Sequence, residues 1–243
     1  MLATSDQRLA TDVKAFLDSI YRRLHQYYGP QHWWPADTPF EVMVGAILTQ
    51  GTAWRNVERA LVNLKHERVL NAERLGKVPP RRLARLIRPA GYFNVKARRL
   101  HHFLDYFRRL HGLKIISMQK ASLHNLRSEL LSVSGIGKET ADSILLYSLN
   151  KPIFVVDAYT RRILSRHHAV HPDAGYDTIQ NLFHRNVKRR TALYNEFHAL
   201  FVHLGKDYCR KMPDCRSCPL NYLNNDPLTR YEGPKMQSLV AGR

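Results

Sequence analysis

Cysteine is scarce: the 243 residues contain three, all between positions 209 and 218. An odd, clustered set excludes a disulfide framework and points instead to a metal site or its remnant. Acidic side chains are also few, 20 Asp and Glu against 38 Lys and Arg, which gives a formal net charge of +18. That imbalance favours a polyanionic partner, because each phosphate neutralised releases condensed counterions. No apolar run approaches the ~20 residues of a membrane-spanning helix. Met1-Leu2-Ala3-Thr4-Ser5-Asp6 lacks the basic and apolar segments of a secretory leader. The expected location is therefore cytoplasmic, alongside the nucleoid in a bacterial-type cell, or otherwise intracellular, without membrane association. Internal repeats and low-complexity tracts are missing, and so is sustained alternation of period two.

What is present is helical periodicity. Val13, Phe16, Leu17, Ile20, Tyr21 and Leu24 recur at spacings of three and four, which makes one face of an amphipathic helix. Leu100, Phe103, Leu104 and Phe107 repeat the pattern, as do Leu193, Phe197, Leu200, Phe201 and Leu204. Pro79-Pro80 suits the start of a helix carrying Leu83, Leu86 and Ile87. Phe40 to Leu48 is almost continuously apolar and reads as a buried helix, although period alone leaves a strand open. Turns are expected at 91–94, 135–137 and 171–175. From about Asn224 the chain is polar and aperiodic, and a loose tail is expected over 224–243. The fold class is all-α.

The central motif is Leu130-Leu131-Ser132-Val133-Ser134-Gly135-Ile136-Gly137-Lys138-Glu139-Thr140-Ala141-Asp142. A helix ends, a Gly-x-Gly turn follows and a second helix begins. Glycine permits positive φ and close approach. The amides at the new helix start can then hold a phosphate, aided by the helix dipole and by Lys138. Such a contact positions a nucleic acid without reading its sequence. Taken alone, the turn is equally an ordinary connection between helices. Eighteen residues past Glu139, Val155-Val156-Asp157-Ala158-Tyr159-Thr160 places Asp157 to cap the next helix. Asp157 is then either a structural cap or a carboxylate at the mouth of a base pocket.

Together these motifs resemble the helix-hairpin-helix, Gly/Pro-rich loop and aspartate signature of the endonuclease III superfamily. Lys151-Pro152-Ile153 stands in the loop without the extra glycine. The resemblance runs from about residue 15 to 220. It implies a base excision repair glycosylase made of two α-helical domains with a DNA-binding cleft between them. One domain would be a six-helix bundle over 41–151; the other would join 1–40 to 152–223. The partner would be double-stranded DNA with a damaged base, bound by a monomer, the target nucleotide being flipped out of the stack. Asp157 would be the catalytic carboxylate. Gln50, in Leu48-Thr49-Gln50-Gly51-Thr52, matches the family's filler of the vacated space, and Tyr92, in Gly91-Tyr92-Phe93-Asn94, its wedge against the opposite strand. Gly135, Gly137 and Lys138 would grip the backbone, with Lys96, Arg98 and Arg99 as further candidates.

Bifunctional members of the superfamily carry a lysine two residues after the second hairpin glycine, where it attacks the sugar to form a Schiff base. Here that position holds Glu139. Lys138 points about 100° away on a helix, so it does not substitute. The resemblance therefore implies simple hydrolysis without strand cleavage and with no cofactor needed for the chemistry. Glu139, Trp33-Trp34-Pro35 and Arg88-Pro89-x-Gly91 look like the 3-methyladenine glycosylase branch. In that branch Trp33, Trp34 and Trp54 would line the base pocket together with Glu139, and Lys206 would match a pocket lysine. An aromatic sandwich would favour a cationic alkylated base by about 0.5–2 kcal/mol. The alternatives are a hydrophobic plug for the tryptophans and a surface position for Lys206. Other lesions (mismatched thymine, uracil, an oxidised base, hypoxanthine) and a non-catalytic binder of distorted DNA are the rival functions.

Cys209, Cys215 and Cys218 occupy the place where many relatives bind a [4Fe–4S] cluster, which usually takes four thiolates. A fourth cysteine near Asn224 is absent. The expectations are a three-thiolate or borrowed-ligand cluster, a metal-free loop, or zinc with His203.

Overall fold

The structure is a computed structural model that describes residues 5–225. All but the first two residues of the expected tail lie outside it. In chain order the first helices are α1 (Ser5–Tyr28), α2 (Pro39–Leu48), α3 (Trp54–His66), α4 (Ala72–Gly76), α5 (Pro80–Leu86) and α6 (Phe93–His111). They are followed by α7 (Ile115–Lys120), α8 (Leu123–Ser132), α9 (Lys138–Ser143), α10 (Ala158–Arg166), α11 (Tyr176–Asn186) and α12 (Thr191–Asp207). A 3-10 turn occupies Arg88–Ala90, and α9 widens into a π-turn at Ile144–Ser148. The described residues contain no strand. None of their helices is long and apolar enough to cross a membrane.

The chain divides into two compact units. One is Trp34–Lys151; the other joins the segment up to Trp33 with the segment from Pro152 onward.

In the first unit, the ambiguous run Phe40–Leu48 is a helix because its start is specified. Thr38 is extended and its hydroxyl accepts from the Glu41 amide at 3.1 Å, with Pro39 at the first helical position. All of α2 after Pro39 is buried. α6 turns Leu100, Phe103, Leu104 and Phe107 inward and ends at Gly112, where φ is +57°, a left-handed cap that costs glycine nothing. Ser122 caps α8 through the Asn125 amide.

In the second unit, Leu17, Ile20 and Leu24 of α1 are fully buried, and α1 packs on α12 and α11. The core is aromatic: Phe154 stacks on Phe183 with ring centroids 3.6 Å apart, and Phe197 meets both edge-on. α11 is one of the helices the periodicity reading did not supply. It follows the expected 171–175 loop and buries Ile179 and Phe183.

Candidate active site

The hairpin joins α8 to α9 through Val133–Gly137. The Ile136 amide donates to the Val133 carbonyl at 3.0 Å, and Gly135 has φ of +91°. A Cβ on Gly135 would also collide with the Arg99 side chain. Glycine is thus required there twice, for its backbone angle and for close approach. At Gly137 a Cβ would meet nothing within 4 Å, so the start of α9 is open on that side. Lys138 and Glu139 are exposed. The two hairpin helices are tied by Arg127, whose guanidinium donates to both oxygens of Asp142 at 2.7 and 3.1 Å. Asp142 is 0% exposed.

Beside the hairpin, Gln50 is engaged by three partners. It is half-buried, and its amide nitrogen donates to the Gly135 carbonyl and to the Thr140 hydroxyl, both at 2.9 Å. Its oxygen accepts from Arg99. Tyr92 is 75% exposed and sits in the left-handed region with φ of +44°, a conformation that costs a non-glycine residue roughly 1–2 kcal/mol. Lys96 is a correction. Expected to reach the DNA backbone, it is 1% exposed, and its ammonium donates to the carbonyls of Leu48 and Ala90, both at 2.7 Å. Those carbonyls end α2 and the 3-10 turn, where helix acceptors lack intrahelical partners.

The adjacent tryptophans fall on opposite sides of the unit boundary. Trp34 meets Trp54 edge-on, with centroids 5.0 Å apart and planes at 88°, and lies 5.1 Å from Tyr147. The cluster rests on Gly45, where a Cβ would come within 3.5–3.6 Å of both indoles. Trp54 is anchored by its indole N–H to Glu58 at 2.7 Å. Trp34 and Trp54 thus stand perpendicular to each other, not parallel about a ring-sized gap. Tyr147, missed in the sequence, is delivered by the π-turn, a local change of register that side-chain spacing does not signal.

In the other unit, Asp157 caps α10, its Oδ1 accepting from the Thr160 amide at 2.7 Å. His198 Nε2 on α12 lies 3.6 Å from Oδ2. Burial pushes the Asp157 carboxyl up, but the charge and hydrogen bonding of His198 together with the Thr160 amide outweigh it and hold the carboxyl below its ordinary value. The extended segment leading to Asp157 is pegged by α11. Tyr176 accepts from the Val156 amide at 3.4 Å, Gln180 donates to the Phe154 carbonyl at 2.7 Å, and His184 accepts from the Phe154 amide at 3.1 Å. These three side chains are one turn apart on one helix face, and they supply the hydrogen bonds that a strand partner would otherwise give. None of His198, Tyr176, Gln180 or His184 was read from the sequence: His198 passes for a core member of the α12 stripe, and α11, which carries the other three, was not read as a helix.

Trp33 lies under Lys206, whose ammonium is 5.6 Å from the ring centroid, and edge-on to His203 at 6.3 Å. Burial and then the Lys206 charge hold the His203 imidazole below its ordinary value, against an opposing pull from Asp207.

The cysteines form a loop held by arginines. Arg162 donates to the carbonyls of Cys209 at 2.6 Å and Gly205 at 3.0 Å. Arg166 donates to Cys209 Sγ at 3.2 Å and to the carbonyls of Arg210 and Lys211. Cys209 and Cys218 are buried and Cys215 is exposed. Burial pushes the Cys218 thiol up. No three His, Cys, Asp or Glu side chains come together as a metal-holding group among the described residues. Neither a four-thiolate cluster nor zinc with His203 fits this set.

A family model described as HhH-GPD superfamily base excision DNA repair protein matches residues 44–189. A Methanocaldococcus jannaschii protein, named as a candidate DNA repair glycosylase, is 48% identical over 203 residues, which is 83% of this chain and 92% of that one. The H. pylori 3-methyladenine DNA glycosylase bound to 1,N6-ethenoadenine superposes with a TM-score of 0.69 at 28% identity, over 80% of this chain and 97% of that one. A non-covalent endonuclease III–DNA complex matches in fold with a TM-score of 0.74 at 19% identity, over 95% and 98% of the two chains. With the hairpin, the capped aspartate and a family match spanning both, the chain belongs to the HhH-GPD superfamily of base excision repair DNA glycosylases.

Proposed function

We propose that this glycosylase is monofunctional and hydrolyses the N-glycosidic bond of a cationic, alkylated purine of the 3-methyladenine type in duplex DNA, acting as a monomer. The observation that carries the reading is Asp157: a largely buried carboxyl held below its ordinary value, with Oδ1 committed to the Thr160 amide and Oδ2 facing His198. An anion kept in that state stabilises an oxocarbenium-like sugar electrostatically. It also takes a proton from the attacking water as the new C–O bond forms and the C–N bond breaks. The electron pair of the breaking bond neutralises the methylated purine, which leaves without general acid.

Two further features support the finer assignment. Glu139 stands exposed at the start of α9, and a carboxylate forms no Schiff base with the sugar. Trp34, Trp54 and Tyr147 offer electron-rich faces, which favour a cationic ring by about 0.5–2 kcal/mol. The similarity to the H. pylori 3-methyladenine glycosylase agrees with this choice. Gly135, Gly137 and Lys138 hold the strand, Tyr92 is the wedge, and Gln50, released from Gly135 and Thr140, fills the gap. Trp33, Lys206 and Glu139 are the further base-recognition residues of this reading.

The test is base release from methylated duplex DNA, resolved by chromatography, with borohydride trapping in parallel. Free 3-methyladenine with no trapped adduct is expected. Release of uracil, thymine, hypoxanthine or an oxidised base in its place would reassign the lesion, and a trapped adduct would end the monofunctional reading.

A further inference from the structure

Lysine is the residue least expected in a protein interior, yet Lys96 is buried with its ammonium on two main-chain carbonyls. The position of those carbonyls matters more than the burial. The Leu48 carbonyl closes α2, two residues before Gln50, and the Ala90 carbonyl closes the 3-10 turn, two residues before Tyr92. One cation thus ties the root of each loop to the other. One turn further along α6, Arg99 donates to the Gln50 side chain and lies against Gly135. We infer that Lys96 is a positioning residue that locks the Gln50 and Tyr92 loops in fixed register, so that wedge and filler enter the duplex as one rigid piece.

The inference rests on the proposed roles of Gln50 and Tyr92 and explains how they act together. Tyr92 keeps a strained left-handed backbone while three-quarters exposed; its own ring contributes little packing to hold it there. Strain of that kind persists only where the surroundings over-determine it, and the Ala90 carbonyl bond lies immediately upstream. An ammonium suits the site because it has three donors and a compact head, and helix C-termini favour a cation. Burial and then the charge of Arg99 push the Lys96 ammonium down to about 8, so it remains charged at neutral pH. A lysine whose only task was to fill space would be better replaced by methionine, which removes a buried charge.

Lys96→Met keeps the volume and removes the donors. The probe is a duplex carrying an abasic-site analogue with 2-aminopurine on the opposite strand, which brightens when the base beside the wedge unstacks. With saturating wild-type protein a fluorescence rise is expected. Lys96→Met should lose most of that rise, and single-turnover base excision should fall on the order of a hundredfold, the scale of a 1 Å misplacement. Affinity for undamaged duplex should stay unchanged, since the hairpin supplies it. Without DNA, hydrogen exchange should quicken at the amides of Gln50–Thr52 and Tyr92 while the hairpin amides keep their protection. Unchanged exchange in both loops would overturn the tether. Faster exchange with an undiminished fluorescence rise would overturn its link to unstacking. If wild-type protein gives no rise at all, the wedge reading itself is wrong and the inference falls with it, whereas base release stands or falls separately. Should Lys96→Met fail to fold, Lys96→Gln, which can meet one carbonyl, is judged on the same readouts.

Discussion

At the scale of the residue, the proposed chemistry rests on Asp157, and its environment yields two measurable outcomes. Asp157→Asn removes the charge and keeps most of the shape; single-turnover excision should fall by at least ~10²–10³-fold, with duplex binding nearly intact. An unaltered rate would remove the mechanism. His198 is one of the groups holding the carboxyl below its ordinary value. A depressed carboxyl stays ionised as pH falls until its folded-state value is passed, so excision should persist into acid below the ordinary carboxylate range. His198→Gln takes away the opposing charge, leaves burial dominant and should move the acidic limb of the rate profile to higher pH. Any stability gained from the depression follows the same sign: present above the unfolded value near 3.9 and lost as pH drops through the folded one. As a helix cap, Asp157 was legible in the sequence because it follows an apolar pair and precedes a helix. His198 was not, because it lies on the buried face of α12 and reads as core. Lys96 was misread because basic residues in a basic chain default to the surface.

At the scale of the element, the hairpin was legible from two glycines, but what stiffens it was not. The Arg127–Asp142 pair joins residues 15 apart in sequence, and nothing in the spacing distinguishes it from two solvated charges. Asp142→Asn leaves Arg127 without its counter-charge in a mostly buried setting and should cost roughly 3–5 kcal/mol, read as a lower urea midpoint. Tyr92 offers the opposite trade. Tyr92→Gly relieves a left-handed strain of about 1–2 kcal/mol against an entropy cost of about 0.5–1 kcal/mol. The variant should unfold at slightly higher urea than wild type and excise far more slowly. A variant that is both less stable and fully active would contradict the wedge. α2 was legible once Thr38 and Pro39 were weighed beside its apolar run. The π-turn was not, since one extra residue in a helix leaves no mark on hydrophobic spacing.

At the scale of the whole molecule, the charge of +18 belongs to the encounter with DNA. If the hairpin and neighbouring cations neutralise about five phosphates, log affinity for undamaged duplex should fall against log salt with a slope of about −4 to −5. A slope near zero would mean that the basic surface faces something else. The all-α class and the order of the motifs were readable from periodicity and spacing. The way the tryptophan pair divides was not, because Trp33 and Trp34 look alike in sequence while Trp33 lies beneath a cation and Trp34 joins an aromatic cluster.

The Trp34–Lys151 unit is spliced into the middle of its neighbour. α1 leaves the ribosome before the inserted unit, yet its packing partner α12 is synthesised only after the whole of it. During translation the apolar stripe of Phe16, Leu17, Ile20 and Leu24 must therefore wait uncovered while the insert emerges and collapses by itself. A nascent chain stalled just after Lys151 should expose this stripe to chaperones and proteases, and one released after Asp207 should bury it.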